Sequence, residues 1–180
     1  MSGSGGARSR HRGGLLLLLV PAIVASAPED PCTAFTWEVA HERTLFAATP
    51  QLLAAAAAPE RAPSLEPERL YQLQLIAQAQ VAFAVPPEKR HAPADGYGGL
   101  AVMTLEKPGL YRVSLDQPAW VDVVGSGGVI AARDFQGRAG CNAPHKIVEF
   151  VLPAGVALTL QLSAAAAPAV RIAVSRAPGQ

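Results

Sequence analysis

The sequence predicts an all-β fold, an antiparallel β-sandwich of jelly-roll type with about eight or nine short strands and a short helical N-terminal extension. From Pro67 onwards, apolar residues alternate with period two, which is typical of strands with one buried face. Glycine- and proline-rich turns divide these stretches at a spacing of roughly ten residues. No helical period interrupts them, so the pattern favours two facing sheets over a parallel α/β fold.

The strand pattern recurs in nine stretches that are separated by turn signals. These stretches are residues 70–76, 81–85, 100–105, 110–115, 120–124, 129–131, 147–152, 156–162 and 170–174. A sandwich core is filled by aromatic and branched side chains from the inner faces of both sheets. The side chains that meet this requirement are Phe83, Leu105, Tyr111, Val113, Trp120, Val123, Phe150 and Leu160.

Residues 28–67 are predicted to form an irregular N-terminal extension, followed by the sandwich domain at residues 68–176. Alternation at residues 35–39 favours a short strand there. Residues 42–48 have the composition of a short helix. A Thr-Pro pair and five alanines indicate two further helical turns over residues 51–58.

Residues 1–27 are typical of a secretory signal peptide. A basic segment without acidic residues precedes an apolar run at residues 15–24, and small residues stand at 25–27, where cleavage is expected. The alternative is an uncleaved membrane anchor. Ten apolar residues span only about 15 Å as a helix, against roughly 30 Å of hydrocarbon. We therefore expect cleavage near Ala27, with no transmembrane segment in the mature chain.

The charge balance of the mature chain argues against two classes of partner. The whole sequence has 15 basic and 14 acidic residues. Cleavage would remove Arg8, Arg10 and Arg12, which leaves 12 basic residues and a formal charge of −2. Such a surface is not expected to bind nucleic acid or an anionic membrane. Arginine outnumbers lysine twelve to three, and this bias favours a bacterial protein in the periplasm or outside the cell.

Two cysteines, Cys32 and Cys141, lie in the predicted mature chain. In an oxidising compartment an even pair usually forms a disulfide, the alternative being two free thiols. The bond would close a loop of about 109 residues and contribute roughly 4–5 kcal/mol in the chain-entropy description. It would join the N-terminal extension to a loop far along the chain.

Two phrases of the sequence, residues 108–115 and 150–155, resemble strand and turn phrases of bacterial pre-peptidase C-terminal domains. The resemblance covers roughly residues 97–175. Members of that family are small secreted jelly-roll modules appended to exported enzymes, so the resemblance implies an accessory role without catalytic residues. The acidic calcium-site phrases usual in that family are not evident in this sequence.

The most polar segment of the sandwich region is a predicted long loop at residues 133–146. If Cys141 is bridged, the loop is held in place, and ordered loops at the rim of such folds often carry recognition. The alternative is a plain connection with solvated charges. The side chains that could contact a polar ligand are Asp134, Gln136, Arg138, Asn142, His145 and Lys146.

Motifs for catalysis or metal binding do not emerge from the sequence. His41-Glu42 begins like a zinc-protease motif, but Leu45 stands where the second histidine belongs. Ser126 lies in a glycine-rich turn without the spacing of a nucleophile elbow. A disulfide would also remove the thiol of Cys141 as a nucleophile. We therefore expect no metal, no cofactor and no enzymatic activity.

The two tryptophans could offer platforms on which sugars stack. Trp120 lies in a strongly apolar stretch, so core packing is the expected role there, and Trp37 is expected to pack near the bridge.

Together the features of the sequence predict an exported, non-catalytic protein that binds a polysaccharide or a protein partner in the cell envelope. The alternatives are a structural or assembly subunit of an envelope complex and a small secreted hydrolase.

Overall fold

The computed structural model describes residues 1–3, 5, 30–87 and 96–179, and in these ranges the chain forms two β-sheets and one α-helix. Almost all of the predicted signal peptide and residues 88–95 lie outside these ranges. None of the helices in the described ranges is long and apolar enough to cross a membrane.

The described residues contain eleven strands, rather than the eight or nine expected. The helix α1 spans Ala40–Phe46. The strands are β1 (Gln51–Ala54), β2 (Leu70–Gln74), β3 (Ile76–Ala77), β4 (Tyr97–Thr104), β5 (Gly109–Leu115), β6 (Trp120–Gly125), β7 (Gly128–Ile130), β8 (Ala132–Gly137), β9 (Lys146–Leu152), β10 (Ala157–Ala165) and β11 (Ala169–Arg176). Short 3₁₀ turns occur at Pro31–Thr33, Pro59–Arg61 and Gln78–Gln80.

The first sheet has the strand order β1-β2-β11-β5-β9-β8, and the second has the order β3-β4-β10-β6-β7. Neighbouring strands are antiparallel except β1 and β2, which are parallel. The chain crosses from one sheet to the other after most strands. As a result, strands that are distant in sequence become neighbours.

The inner faces of both sheets contribute to one apolar core. Alternate residues point to opposite faces of a strand, so Val113 of β5 and Phe150 of β9 reach this core together with Val123 of β6 and Leu160 of β10. Of the eight predicted core residues, Phe83 and Trp120 are only half-buried. The six that lie in the core cluster are Leu105, Tyr111, Val113, Val123, Phe150 and Leu160.

The helix predicted over residues 51–58 is wrong. Residues 51–54 form β1, which pairs with β2, and Ala56 exchanges backbone hydrogen bonds with Leu100 of β4. A Cβ added to Gly99 would lie only 2.5 Å from the Cβ of Ala55. The small alanine side chains thus allow this segment to approach β4 closely, and burial overrides their helix propensity. The other predicted helix, over residues 42–48, corresponds to α1.

Three further expectations differ from the structure. Residues 35–39 and 81–85 form no strand. The side-chain amide of Gln161 bonds both the N–H and the carbonyl of Val85, at 3.1 and 3.2 Å, in place of a strand partner. The polar segment 133–146 is not all loop, because its first half is β8. Since β8 is an edge strand with exposed faces, a polar composition suits it.

The N-terminal segment before β1 is fastened to the outer face of the first sheet. The predicted disulfide between Cys32 and Cys141 is present, with an S–S distance of 2.06 Å. On the same face, Arg112 of β5 forms ion pairs with Glu42 of α1 and Glu149 of β9. Phe46 of α1 packs with apolar side chains of β2 and β11.

Candidate functional site

The strand pairing of β8 separates the predicted site residues onto two faces. Phe135 pairs with Val148, whose side chain lies in the core cluster, so Phe135 faces the side of the second sheet. Asp134 and Gln136, on either side of it, face the outer surface where the N-terminal segment lies. Neighbours in sequence therefore belong to different surfaces.

Two predicted site residues hold the N-terminal segment. The amide oxygen of Gln136 accepts the backbone N–H of Thr36 at 3.0 Å, and its amide nitrogen donates to the hydroxyl of the same residue. Arg138 donates through Nε to the carbonyl of Ala34 and lies 5.3 Å from the ring centroid of Phe35. These contacts give both side chains a structural task.

Two other predicted site residues, Asp134 and Asn142, do not line the cavities described below. The carboxylate of Asp134 accepts the N–H of Phe135 at 2.8 Å. Asn142 is exposed, and its carbonyl accepts a hydrogen bond from Nη2 of Arg171 at 2.9 Å. The remaining two predicted residues, His145 and Lys146, line a cavity without them.

His145 and Lys146 line a cleft between the edges of the two sheets, together with Trp120 and Phe135. We call these four residues the aromatic cleft. An open depression of about 380 Å³ is lined by all four. A narrower apolar slot of about 70 Å³ adjoins it and shares Trp120, Phe135 and Lys146. The slot is completed by side chains of β6, β7, β8 and β9: Val121, Asp122, Val129, Ile130, Ala132, Val148 and Phe150.

The cleft exists because both sheets end here. β8 is the last strand of the first sheet, and the short β7 is the last strand of the second. β7 pairs with residues 123–125 of β6, and among the described residues no strand lies on that side of the other end of β6, which includes Trp120. Phe135 is 65% exposed, which is unusual for a large aromatic side chain.

Hydrogen bonds and ring contacts fix the aromatic cleft. The indole Nε1 of Trp120 donates to Oδ1 of Asp122 at 2.8 Å, and the carboxylate is only 3% exposed. The ammonium of Lys146 donates to the carbonyl of Ala119 at 2.7 Å. It lies 5.3 Å from the ring centroid of Trp120 and 5.9 Å from that of Phe135, within cation–π range of both.

The conformation of His145 determines which ring nitrogen can accept a hydrogen bond. Its Nδ1 lies 3.2 Å from the carbonyl oxygen of Cys141, and a carbonyl can only accept, so Nδ1 donates. The neutral ring then presents Nε2 as an acceptor. The backbone of His145 is bonded to Leu115 and Arg138, and the disulfide fixes Cys141 nearby.

Sequence reasoning missed Phe135 and assigned Trp120 to the core. Trp120 is half-buried and lines the cleft, whereas Trp37 lies against Arg112 at 5.0 Å on the outer face. The order Asp134-Phe135-Gln136 was the sequence feature that could have identified Phe135 as a site residue. On a strand, the lone aromatic side chain faces the opposite side of the sheet from its two polar neighbours.

A second cavity, of about 580 Å³, is more polar and lies at the start of β2. Its wall includes Glu68, which binds His41 and accepts the backbone N–H of Arg176. These contacts tie α1 to the segment before β2. No group of three histidine, cysteine or acidic residues in the described ranges is placed to hold a metal ion. His91 lies outside those ranges.

Comparisons with known proteins add no relative. No family model matches the chain, and no curated protein or solved structure matches it significantly. The resemblance to pre-peptidase C-terminal domains thus stays a prediction. The functional argument rests on the fold and on the aromatic cleft.

Proposed function

We propose that this chain is an exported, non-catalytic bacterial β-sandwich protein that binds a polysaccharide of the cell envelope in the aromatic cleft. The observation that carries the proposal is that Trp120, Phe135, His145 and Lys146 line one concavity. Ligand sites are typically concave and combine apolar walls with a few placed polar groups. This cleft has both.

The topology supports a jelly roll. Without β1, β3 and β8, the sheets have the orders β2-β11-β5-β9 and β4-β10-β6-β7. Numbered one to eight along the chain, these are the orders 1-8-3-6 and 2-7-4-5, which two interleaved Greek keys produce. Jelly rolls include lectins, although a fold does not by itself imply a function.

The chemistry of the cleft suits a sugar ring. A pyranose presents an apolar C–H face and a rim of hydroxyl groups. The exposed ring of Phe135 offers an apolar face of matching size. Nε2 of the neutral His145 ring can accept a hydrogen bond from a sugar hydroxyl, and the ammonium of Lys146 is a hydrogen-bond donor.

Export is supported by the signal pattern of residues 1–27 and by the disulfide. Disulfides persist mainly in oxidising compartments such as the periplasm and the outside of the cell. The bond joins residues 109 positions apart, and closing so long a loop stabilises the fold by restricting the unfolded chain.

The direct test is binding of purified envelope polysaccharides, including peptidoglycan, by native protein and by Phe135→Ala. Loss of a stacked ring removes about 0.5–1.5 kcal/mol, so we expect roughly a two- to tenfold weaker affinity. Val151→Ala is the matched control, because Val151 is 62% exposed on the outer face of β9. If both variants bind as the native protein does, the cleft is not the site.

An assembly role is the second candidate, and one observation favours it. β1 is an edge strand, and its Leu52 is 68% exposed. Edge strands can pair with another chain. Native mass spectrometry of envelope extracts would show a complex that Leu52→Lys disrupts, whereas a monomer in the native protein contradicts this role.

The hydrolase alternative gains no support from the described contacts. His145 bonds a backbone carbonyl, and His41 bonds Glu68. The hydrogen bonds of the described residues contain no serine hydroxyl bonded to either histidine. We therefore do not propose a catalytic function.

A further inference from the structure

The apolar slot beside the aromatic cleft differs in size from the depression that it adjoins. Its volume is about 70 Å³, against about 380 Å³ for the open depression. An apolar cavity that admits a benzene molecule measures about 150 Å³. The depression therefore has room for a sugar ring, whereas the slot admits only a small substituent of that ring.

The walls of the slot favour an apolar substituent. Val121, Val148 and Phe150 belong to the apolar core. The polar side chains in the wall are those of Asp122 and Lys146, and both already have partners. A hydroxyl group that enters such a space loses its hydrogen bonds to water, whereas transfer of a methyl group into it is favourable. The slot thus fits a substituent that ends in a methyl group.

The backbone of β6 also presents polar groups at the slot. Gly125 and Gly128 flank the two-residue turn between β6 and β7, so they form a hydrogen-bonded pair. Such positions alternate along an antiparallel strand, so the N–H and C=O of Val123 and Val121 point to the same side as those of Gly125. β7 ends before it reaches Val121, and no other backbone segment of the described ranges bonds these two groups.

We propose that the sugar bound in the aromatic cleft carries an N-acetyl group, so that its polysaccharide is built from N-acetylated amino sugars; this inference rests on the proposed function. The sugar ring lies against Phe135, and the acetyl methyl group enters the slot. The acetyl carbonyl accepts the backbone N–H of Val121, and a neighbouring ring hydroxyl donates to the carbonyl of the same residue. The ligand thus supplies the partners that a further strand would otherwise provide.

Other common sugar substituents fit the slot less well. A 6-deoxy sugar presents a methyl group, but it has no acceptor beside that methyl and leaves the N–H of Val121 without a partner. A hydroxymethyl group supplies an acceptor, but it places a hydroxyl group in apolar surroundings. Of these three substituents, the acetamido group alone combines a terminal methyl with an adjacent acceptor.

The test compares chitotetraose with cellotetraose, which has a hydroxyl group in place of each acetamido group. Calorimetric titration of the native protein is expected to give roughly tenfold tighter binding of chitotetraose, because a buried methyl group and a hydrogen bond add to the ring contact. In NMR spectra, the amide signal of Val121 is expected to shift downfield with chitotetraose and to stay in place with cellotetraose.

Ala132→Leu is the informative variant, because its larger side chain fills the slot. Ala132 lines the slot, is exposed and pairs with Phe150, so both side chains face the same side of the sheet. The variant is expected to bind chitotetraose about as weakly as cellotetraose and to leave binding of cellotetraose unchanged. The matched control is Ala157→Leu, at an exposed alanine that begins β10 and lines none of the described cavities.

Phe135→Ala separates this inference from the proposed function, since it removes the ring contact that both tetrasaccharides share. If both bind equally and both need Phe135, the N-acetyl inference is overturned and the proposed function stands. The inference also fails if chitotetraose binds more tightly but Ala132→Leu leaves the difference unchanged. If neither tetrasaccharide binds while another envelope polysaccharide needs Phe135, only the N-acetyl inference is overturned.

Two outcomes decide both proposals at once. If Phe135→Ala changes the binding of no polysaccharide, both are overturned. If chitotetraose binds more tightly, needs Phe135 and loses its advantage in Ala132→Leu but not in Ala157→Leu, both are supported.

Discussion

Arg112 illustrates how one residue holds two parts of the molecule together. The residue is only 5% exposed, and its Nε and Nη1 lie 3.0 Å from Glu149 and 3.1 Å from Glu42. Nη1 also donates to the carbonyl of Glu38 at 2.7 Å, and Trp37 covers the guanidinium. One buried cation thus links β5, β9 and α1.

Arg112→Met is predicted to destabilise the fold strongly. Two buried carboxylates would lose their shared partner, and breaking a buried ion pair typically costs 3–5 kcal/mol, which is the loss we expect. Urea unfolding measures it, and Arg61→Gln serves as a control that is expected to unfold like the native protein. An unchanged unfolding midpoint for Arg112→Met would show that the network contributes nothing.

For single residues, the sequence identified polar side chains that make specific contacts, but it did not predict which residues they contact. Gln136 and Arg138 are polar residues with structural contacts to the N-terminal segment, and no local pattern reveals a partner about 100 positions away. Phe135 and Trp120 come together only when two sheet edges meet. Their roles depend on tertiary contacts that alternation alone does not specify.

The N-terminal segment is the element whose attachment depends most on the disulfide. Cys32 joins it to Cys141, while Gln136 and Arg138 bond Thr36 and Ala34. Further along the segment, α1 is held independently by Arg112. The first part should therefore detach more easily than the helix.

Replacement of both cysteines by alanine is predicted to lower the free energy of unfolding by about 4–5 kcal/mol. Hydrogen exchange should show faster exchange at residues 32–36 than in the native protein, whereas β5 and β9 keep their protection under native conditions. Equal exchange at residues 32–36 in both proteins would mean that side-chain contacts suffice to hold the segment.

The alanine-rich segment at residues 51–58 is the second element for which the structure makes a testable prediction. A methyl group at Gly99 would overlap Ala55, so Gly99→Ala should cost about 1–3 kcal/mol through overpacking. Gly127→Ala is the matched control, because a Cβ there meets nothing within 4 Å. Equal thermal stability of the two variants would contradict the close approach of this segment to β4.

Elements with strong local signals were predicted well, and those decided by packing were not. α1 and the strands of the core follow their apolar periodicity, as in β5 and β9. The segment 51–58 does not, because alanine favours a helix in isolation, whereas Ala55 is buried here beside Gly99 of β4. β8 was predicted as loop, since polarity alone does not distinguish an edge strand from a loop.

For the whole molecule, alternation and turn spacing predicted a β-rich fold with two sheets and a shared core. They did not predict which strands end the sheets, because that depends on crossovers between distant segments. The cleft forms where β7 and β8 end the two sheets. This is why the sequence could name His145 and Lys146 as candidates and yet could not place them beside Trp120.

The most direct test of the central claim is an NMR titration of the native protein with the envelope polysaccharide. The two indole N–H signals provide an internal comparison, since Trp120 lines the cleft and Trp37 lies on the outer face. We predict that the Trp120 signal and the amides of β8 shift while the Trp37 signal does not. Shifts confined to Trp37, to β1 or to the polar cavity near Glu68 would contradict binding in the aromatic cleft.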